Sequence, residues 1–172
     1  QLDGAPARQA IAELRPSLDD TWESQLTSIA KNHLAKPEER IRALDLFQLF
    51  GPFPPTGLLI DLSRDDDPVV RTKVAYLMGL HGDEVAAARL IAMMEDPDAG
   101  VRRQAIESLV RGKHAIAVEK IIDRIAEDDR FVASAARRAL ERIPADQWRD
   151  EVLTDRRLRA FLQGSTALLA VD

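Results

Sequence analysis

The stretch Asp65-Asp66-Asp67-Pro68-Val69-Val70-Arg71-Thr72-Lys73-Val74-Ala75-Tyr76-Leu77-Met78 decides the fold, because the chain returns to it. It comes back as Asp96-Pro97-Asp98-Ala99-Gly100-Val101-Arg102-Arg103-Gln104-Ala105-Ile106-Glu107-Ser108-Leu109, and again around Asp128-Asp129-Arg130-Phe131-Val132. Val70, Val101 and Val132 mark a constant step of 31 residues. The same step joins Leu59, Leu90 and Ile121; Ile60, Ile91 and Ile122; Val74, Ala105 and Ala136; and Met78, Leu109 and Leu140. A fixed period of about 20–50 residues is the mark of stacked repeats, in which each unit covers its apolar face with its neighbours.

Working outward, each unit reads as two helices joined by an acidic turn. Pro68 suits the first turn of a helix, where its missing N–H is not needed. Val70, Val74, Leu77 and Met78 then fall at i, i+4, i+7 and i+8, one face of a helix. The units expected are approximately 17–50, 57–82, 83–112 and 115–144, with a partial unit at 3–15 and C-terminal helices at 145–164. All of them belong to one repeat domain over 1–172. Ser17 and Asp20 resemble a capping box. Gly51-Pro52-Phe53-Pro54-Pro55 forbids a helix and reads as a stiff connector. After Pro144, short helices are expected over Asp146 to Leu153 and Asp155 to Gln163, and Ser165 to Asp172 reads as a ragged end.

Composition narrows the function. The chain is 45% hydrophobic and 31% charged, enough apolar residue for a core, and only 5% aromatic. Its net charge of −5 argues against a general nucleic-acid binder. Without cysteine it has no disulfide framework, thiolate metal site or covalent haem attachment within these residues. No apolar run is long enough to span a bilayer. The opening residues QLDGAPARQ lack an initiator Met and a signal-peptide pattern, as expected of a processed product or an excised piece.

The pattern of an aliphatic pair, an acidic turn, Val-Arg, then Ala and a late Leu resembles HEAT repeats. It is most similar to the short HEAT-like units of phycobilisome lyases, well over 57–143 and less so over 17–50. The resemblance implies an all-α fold, a right-handed α-α superhelix (a HEAT-like solenoid) of about four helix pairs. It also implies a binding scaffold. A narrower resemblance runs through Asp129-Arg130-Phe131-Val132 and Ala135-Ala136-Arg137-Arg138-Ala139-Leu140-Glu141-Arg142-Ile143-Pro144 to Trp148. These look like the HEAT segment of large secreted planctomycete-type proteins that join a propeller, HEAT repeats and a cytochrome c domain. No Cys-x-x-Cys-His occurs here, so haem binding does not carry over. That version implies a periplasmic or secreted spacer; otherwise the compartment is cytoplasmic.

No catalytic set stands out, and no enzyme, cofactor or metal is expected. The acidic turns read as helix caps, lacking the glycine and spacing of a calcium loop. His81 and His114 are two ligands without a third; His33 reads as a surface residue. The family resemblance adds a structural ladder, in which an Asp pairs with the Arg six residues later. Asp65 with Arg71 and Asp96 with Arg102 fit; Glu127 and Ala133 interrupt it in the third unit.

In this fold the second helices line the concave surface. They carry Arg71 and Lys73; Arg102, Arg103 and Arg111; and Arg137, Arg138 and Arg142. Off the apolar stripe, Lys73, Tyr76, Arg103, Glu107, Arg111 and Arg138 are the candidate contacts for a protein partner or for neighbouring domains of the same chain. Two alternatives stay open. A basic stripe also suits a nucleic-acid binder of the HEAT-like DNA glycosylase type, though Trp22 and Trp148 lie far apart in sequence and Tyr76 is the lone Tyr. The repeat length suits a chromophore-lyase-type accessory protein.

Overall fold

Proline-led starts, acidic caps and the helical spacing of small aliphatic residues make every regular element a helix. The computed structural model describes residues 4–14, 16, 19–81 and 83–171; among them are eleven α-helices and no strand. The fold is therefore all-α, in the class of HEAT-like α-α solenoids. Ser17 and Gly82, and the side chains of Asp20 and His81, lie outside the described residues, and with them the capping box and one histidine of the expected pair. No described helix is long and apolar enough to cross a membrane.

The chain divides into two units, Gln1–Leu62 and Ser63–Asp172. The first holds α1 (Ala5–Leu14), α2 (Asp19–Lys31), α3 (Pro37–Phe50) and α4 (Thr56–Leu62). Helices α2 and α3 pack as a pair. Leu26, Ala30, Ala43, Leu44 and Phe47 are buried. Trp22 is buried as well, and its indole N–H donates to the carbonyl of Gly51 at 2.9 Å. Arg40 is buried too; its Nε donates to the carbonyl of Ala30 at 2.9 Å, which ties the start of α3 to the end of α2. The proline connector is non-helical over 51–55, with a cis peptide between Gly51 and Pro52.

The second unit holds α5 (Pro68–His81), α6 (Glu84–Met93), α7 (Ala99–Arg111), α8 (Val118–Ile125) and α9 (Arg130–Leu140). It then continues through a 3₁₀ turn (Ala145–Gln147), α10 (Arg149–Thr154) and α11 (Leu158–Val171). Helices α6 and α8 pack on α7 and α9 respectively, and α5, α7 and α9 stack in sequence. Val70, Val101 and Val132 occupy equivalent sites, each fully buried. Val74, Met78, Ala105, Leu109, Ala136 and Leu140 follow them into the seam.

The acidic turns cap the second helices. Asp98 Oδ1 accepts from the Val101 N–H at 3.0 Å. Asp129 Oδ1 accepts from the N–H groups of Phe131 and Val132, both at 2.9 Å. Asp67 does the same for Val69 at 2.8 Å. Such caps contribute about 1 kcal/mol each.

Two glycines let helices approach closely. A Cβ on Gly79 would lie 2.5 Å from the Cβ of Ser108 and 2.8 Å from its Cα, so α5 and α7 nearly touch there. A Cβ on Gly164 would lie 2.5 Å from Val152 Cβ, which brings α11 against α10. This second contact changes the reading of the C-terminus. Residues 165–171 are not a ragged end but the second half of α11. Its small residues Ala160, Gly164 and Ala167 form a buried stripe, and the helix packs on α8, α9 and α10.

Candidate functional site

The second helices of Ser63–Asp172 carry two sets of arginines with opposite surroundings. The first set is enclosed by carboxylates. Arg71 donates from Nε to Asp96 Oδ2 at 2.8 Å and from Nη2 to Asp96 Oδ1 at 2.7 Å, a two-pronged pair. Its Nη1 reaches back to the carbonyls of Asp65 at 2.8 Å and Asp66 at 3.1 Å. One period later, Arg102 Nη2 meets Glu127 Oε2 at 2.7 Å, and its Nη1 meets the carbonyls of Asp96 at 2.8 Å and Pro97 at 3.0 Å. Arg124 also joins Glu127, at 2.8 Å, and Glu95, at 3.2 Å.

These contacts correct the expected ladder in one respect. The arginine touches the aspartate six residues earlier through that residue's main-chain carbonyl. The carboxylate it grips belongs to the following repeat. Glu127 is consequently a rung and not a gap; position 133, a buried alanine, is where no further arginine is supplied. The mutual hydrogen bonds with Asp96 raise the pKa of Arg71, against the cost of its own burial. Burial opposes the ionised form of Asp96, but the bonds from Arg71 and from the Asp98 N–H hold its carboxyl below the usual range. The bond to Glu127 likewise raises the pKa of Arg102.

The second set faces away from this edge. Arg103, Glu107, Arg111 and Arg138, with Phe131 and Arg142, line a groove of about 490 Å³ between α7 and α9. Arg103 and Glu107 approach to 3.5 Å one helical turn apart. Arg111, Arg138 and Arg142 meet no carboxylate at ion-pair distance among the described residues. Two aromatic rings hold cations in place. The Arg111 guanidinium stands 4.8 Å from the centre of the Tyr76 ring, with the Lys73 ammonium 5.1 Å from it. Arg130 and Arg103 lie 4.7 Å and 6.0 Å from the centre of the half-exposed Phe131 ring. Attraction of a cation to a ring face is worth about 0.5–1 kcal/mol at exposed sites and restricts the side chain.

Of the six candidate contacts, Arg103, Glu107, Arg111 and Arg138 thus share one groove, and Lys73 and Tyr76 join it through Arg111. The sequence reading left out Phe131. Its signal was available: it precedes the core residue Val132 as Val69 precedes Val70, and an apolar side chain at that register faces outward. Trp148 is no part of the groove. It is buried, and its N–H donates to the carbonyl of Ile143 at 3.0 Å. His114 packs over Gly112, whose Cβ, if present, would lie 2.5 Å from the imidazole Cδ2. Among the described residues no three His, Asp or Glu side chains converge as metal ligands. What the arrangement can do is bind: it offers a strip of cations, some of them over aromatic rings, with aliphatic surface between them.

No curated protein matches this chain. Residues 55–141, half of its length, match the family model of HEAT repeats, and the chain belongs to that family.

Proposed function

We propose that this chain is a non-enzymatic scaffold that holds a partner protein, or a neighbouring domain of a longer polypeptide, on the face of α5, α7 and α9. HEAT repeats in general serve protein interaction, and the observation that carries the reading here is the α7–α9 groove. Four arginines line it against one carboxylate, Glu107. An uncompensated cluster of like charge is unfavourable in the isolated protein, and a partner of opposite charge relieves it.

Cross-linking of the full chain to proteins of its source tests this. Arg103→Glu with Arg138→Glu removes the cross-linked partners, whereas Arg149→Glu, on the exposed start of α10, leaves them in place. An unchanged set after the double reversal refutes the groove. The same arginines favour nucleic acid as a second reading. A gel-shift assay at low salt decides that point, since phosphate binding weakens steeply as salt rises. The narrower resemblance to secreted propeller, HEAT and cytochrome proteins makes the chain a spacer. The reading frame around it tests that version: a Cys-x-x-Cys-His downstream supports it, and a frame with neither propeller nor cytochrome refutes it.

A further inference from the structure

The cationic groove has a neighbour at Arg142. Val110 and Arg142 also line a second hollow, of about 600 Å³, formed by the end of α7, the loop that follows it, α8 and the end of α9. Most of its walls are aliphatic, from Ile116, Val118, Ile121, Ala139, Ile143 and Pro144, with Lys113, His114 and Gln147 at polar points among them. That volume falls within the roughly 300–1,000 Å³ typical of sites that enclose a ligand. The two adjoining hollows of Ser63–Asp172 thus make a depression with a basic half and a largely apolar half, which share Val110 and Arg142.

We propose that this depression takes a linear segment of a partner protein in which carboxylates adjoin a bulky aliphatic residue. The carboxylates lie on Arg103, Arg111 and Arg138, and the aliphatic side chain enters the hollow. The inference rests on the protein-scaffold reading and specifies its ligand. Charge complementarity gives the first half. Arg111 and Arg138 have no carboxylate partner among the described residues, and Arg103 has Glu107 alone, loosely placed at 3.5 Å. Planar guanidinium groups grip carboxylates through two parallel bonds, as Arg71 already does with Asp96. The second half follows from the hollow, whose aliphatic walls lose contact with water when a leucine-sized group fills it. Nucleic acid suits the pair of halves less well. A base stacks on an aromatic face, and here the Tyr76 and Phe131 rings already carry cations.

Fluorescence anisotropy with the full chain tests this directly. The probe is a labelled peptide of consecutive glutamates followed by two leucines. Its controls carry glutamine for glutamate, or serine for leucine, and a labelled single-stranded oligonucleotide is run beside them. The parent peptide is expected to bind about tenfold or more tighter than either control peptide, the scale of a charge-pair set and of one buried aliphatic side chain. Arg138→Glu abolishes the preference for glutamate over glutamine; Ile116→Ser abolishes the preference for leucine over serine, with circular dichroism unchanged in both. Should Arg138→Glu lose helicity, Arg103→Gln takes its place; should Ile116→Ser do so, Ile116→Ala takes its place. Equal affinity for parent and glutamine peptides overturns the acidic assignment and leaves the scaffold reading intact. Equal affinity for parent and serine peptides overturns the apolar half. An oligonucleotide that binds tighter than the parent peptide, and is released by Arg138→Glu, overturns both the proposal and the scaffold reading.

Discussion

Arg102 and Arg103 are neighbours in sequence and live in different worlds. Arg102 lies at the turn edge of the repeats, bonded to Glu127 and to two carbonyls. Arg103, about 100° further round α7, lies in the groove with one loosely placed glutamate. The difference teaches how to sort basic residues in a repeat protein. An arginine whose whole set of contacts recurs one period later is cohesion: Arg71 and Arg102 make the same bonds, translated. An exposed arginine in the groove whose partners do not recur is available to something outside the chain.

That contrast can be broken most violently on the cohesive side. Asp96→Ala strips Arg71 of its carboxylate in a site where both side chains are about nine-tenths buried. Leaving such a charge unmatched costs about 3–5 kcal/mol, and urea denaturation is expected to show a loss on that scale. Next comes the seam on which both faces depend. Gly79→Ala drives a methyl into the main chain of α7 at Ser108; overpacking of this kind costs about 1–3 kcal/mol, read as a lower melting temperature.

Acid provides a finer probe. The carboxyl of Asp96 is held below its ordinary range when folded. Its contribution to stability is therefore complete above the unfolded carboxylate value of about 3.9, and is lost as pH falls from there through the depressed folded value. Asp96→Asn is expected to flatten the acid limb of a stability–pH curve; an unaltered limb would show that Asp96 does not drive it. The smallest effect belongs to the groove. Arg138→Glu is expected to move stability by no more than about 0.5 kcal/mol, while it removes partner binding. A large loss of stability would transfer Arg138 to the cohesive set.

Much of this architecture is legible in the sequence, for reasons that can be named. The step from Val70 to Val101 to Val132 requires no knowledge of the neighbours: each valine sits at the same place in its own helix pair, and each is buried. The aspartates of the turns are readable as caps because a cap acts within three residues. The ladder was only half readable. Sequence distance brings Arg71 near Asp65, but the stack lays Asp96 of the next repeat beside it, and that placement exists only once the units are piled up. The C-terminus misled for a different reason. Gly164 in a run such as Leu-Gln-Gly-Ser-Thr looks like a stop, yet here the missing side chain admits Val152 and the helix runs on. In the groove, the helical phase that pushes Arg103, Glu107 and Arg138 off the apolar stripe could be read from sequence. The adjoining hollow could not, because its walls come from α7, α8, α9 and the loop between them.

Urea denaturation of Arg102→Ala beside Arg103→Ala tests the sorting most directly, because the two changes are chemically identical and one residue apart. A loss of about 1.5–3 kcal/mol for Arg102→Ala, whose partner Glu127 keeps Arg124, against about 0.5 kcal/mol or less for Arg103→Ala, is the expected result. Coincident denaturation midpoints would contradict it, and with it the division of these helices into a cohesive edge and a binding face.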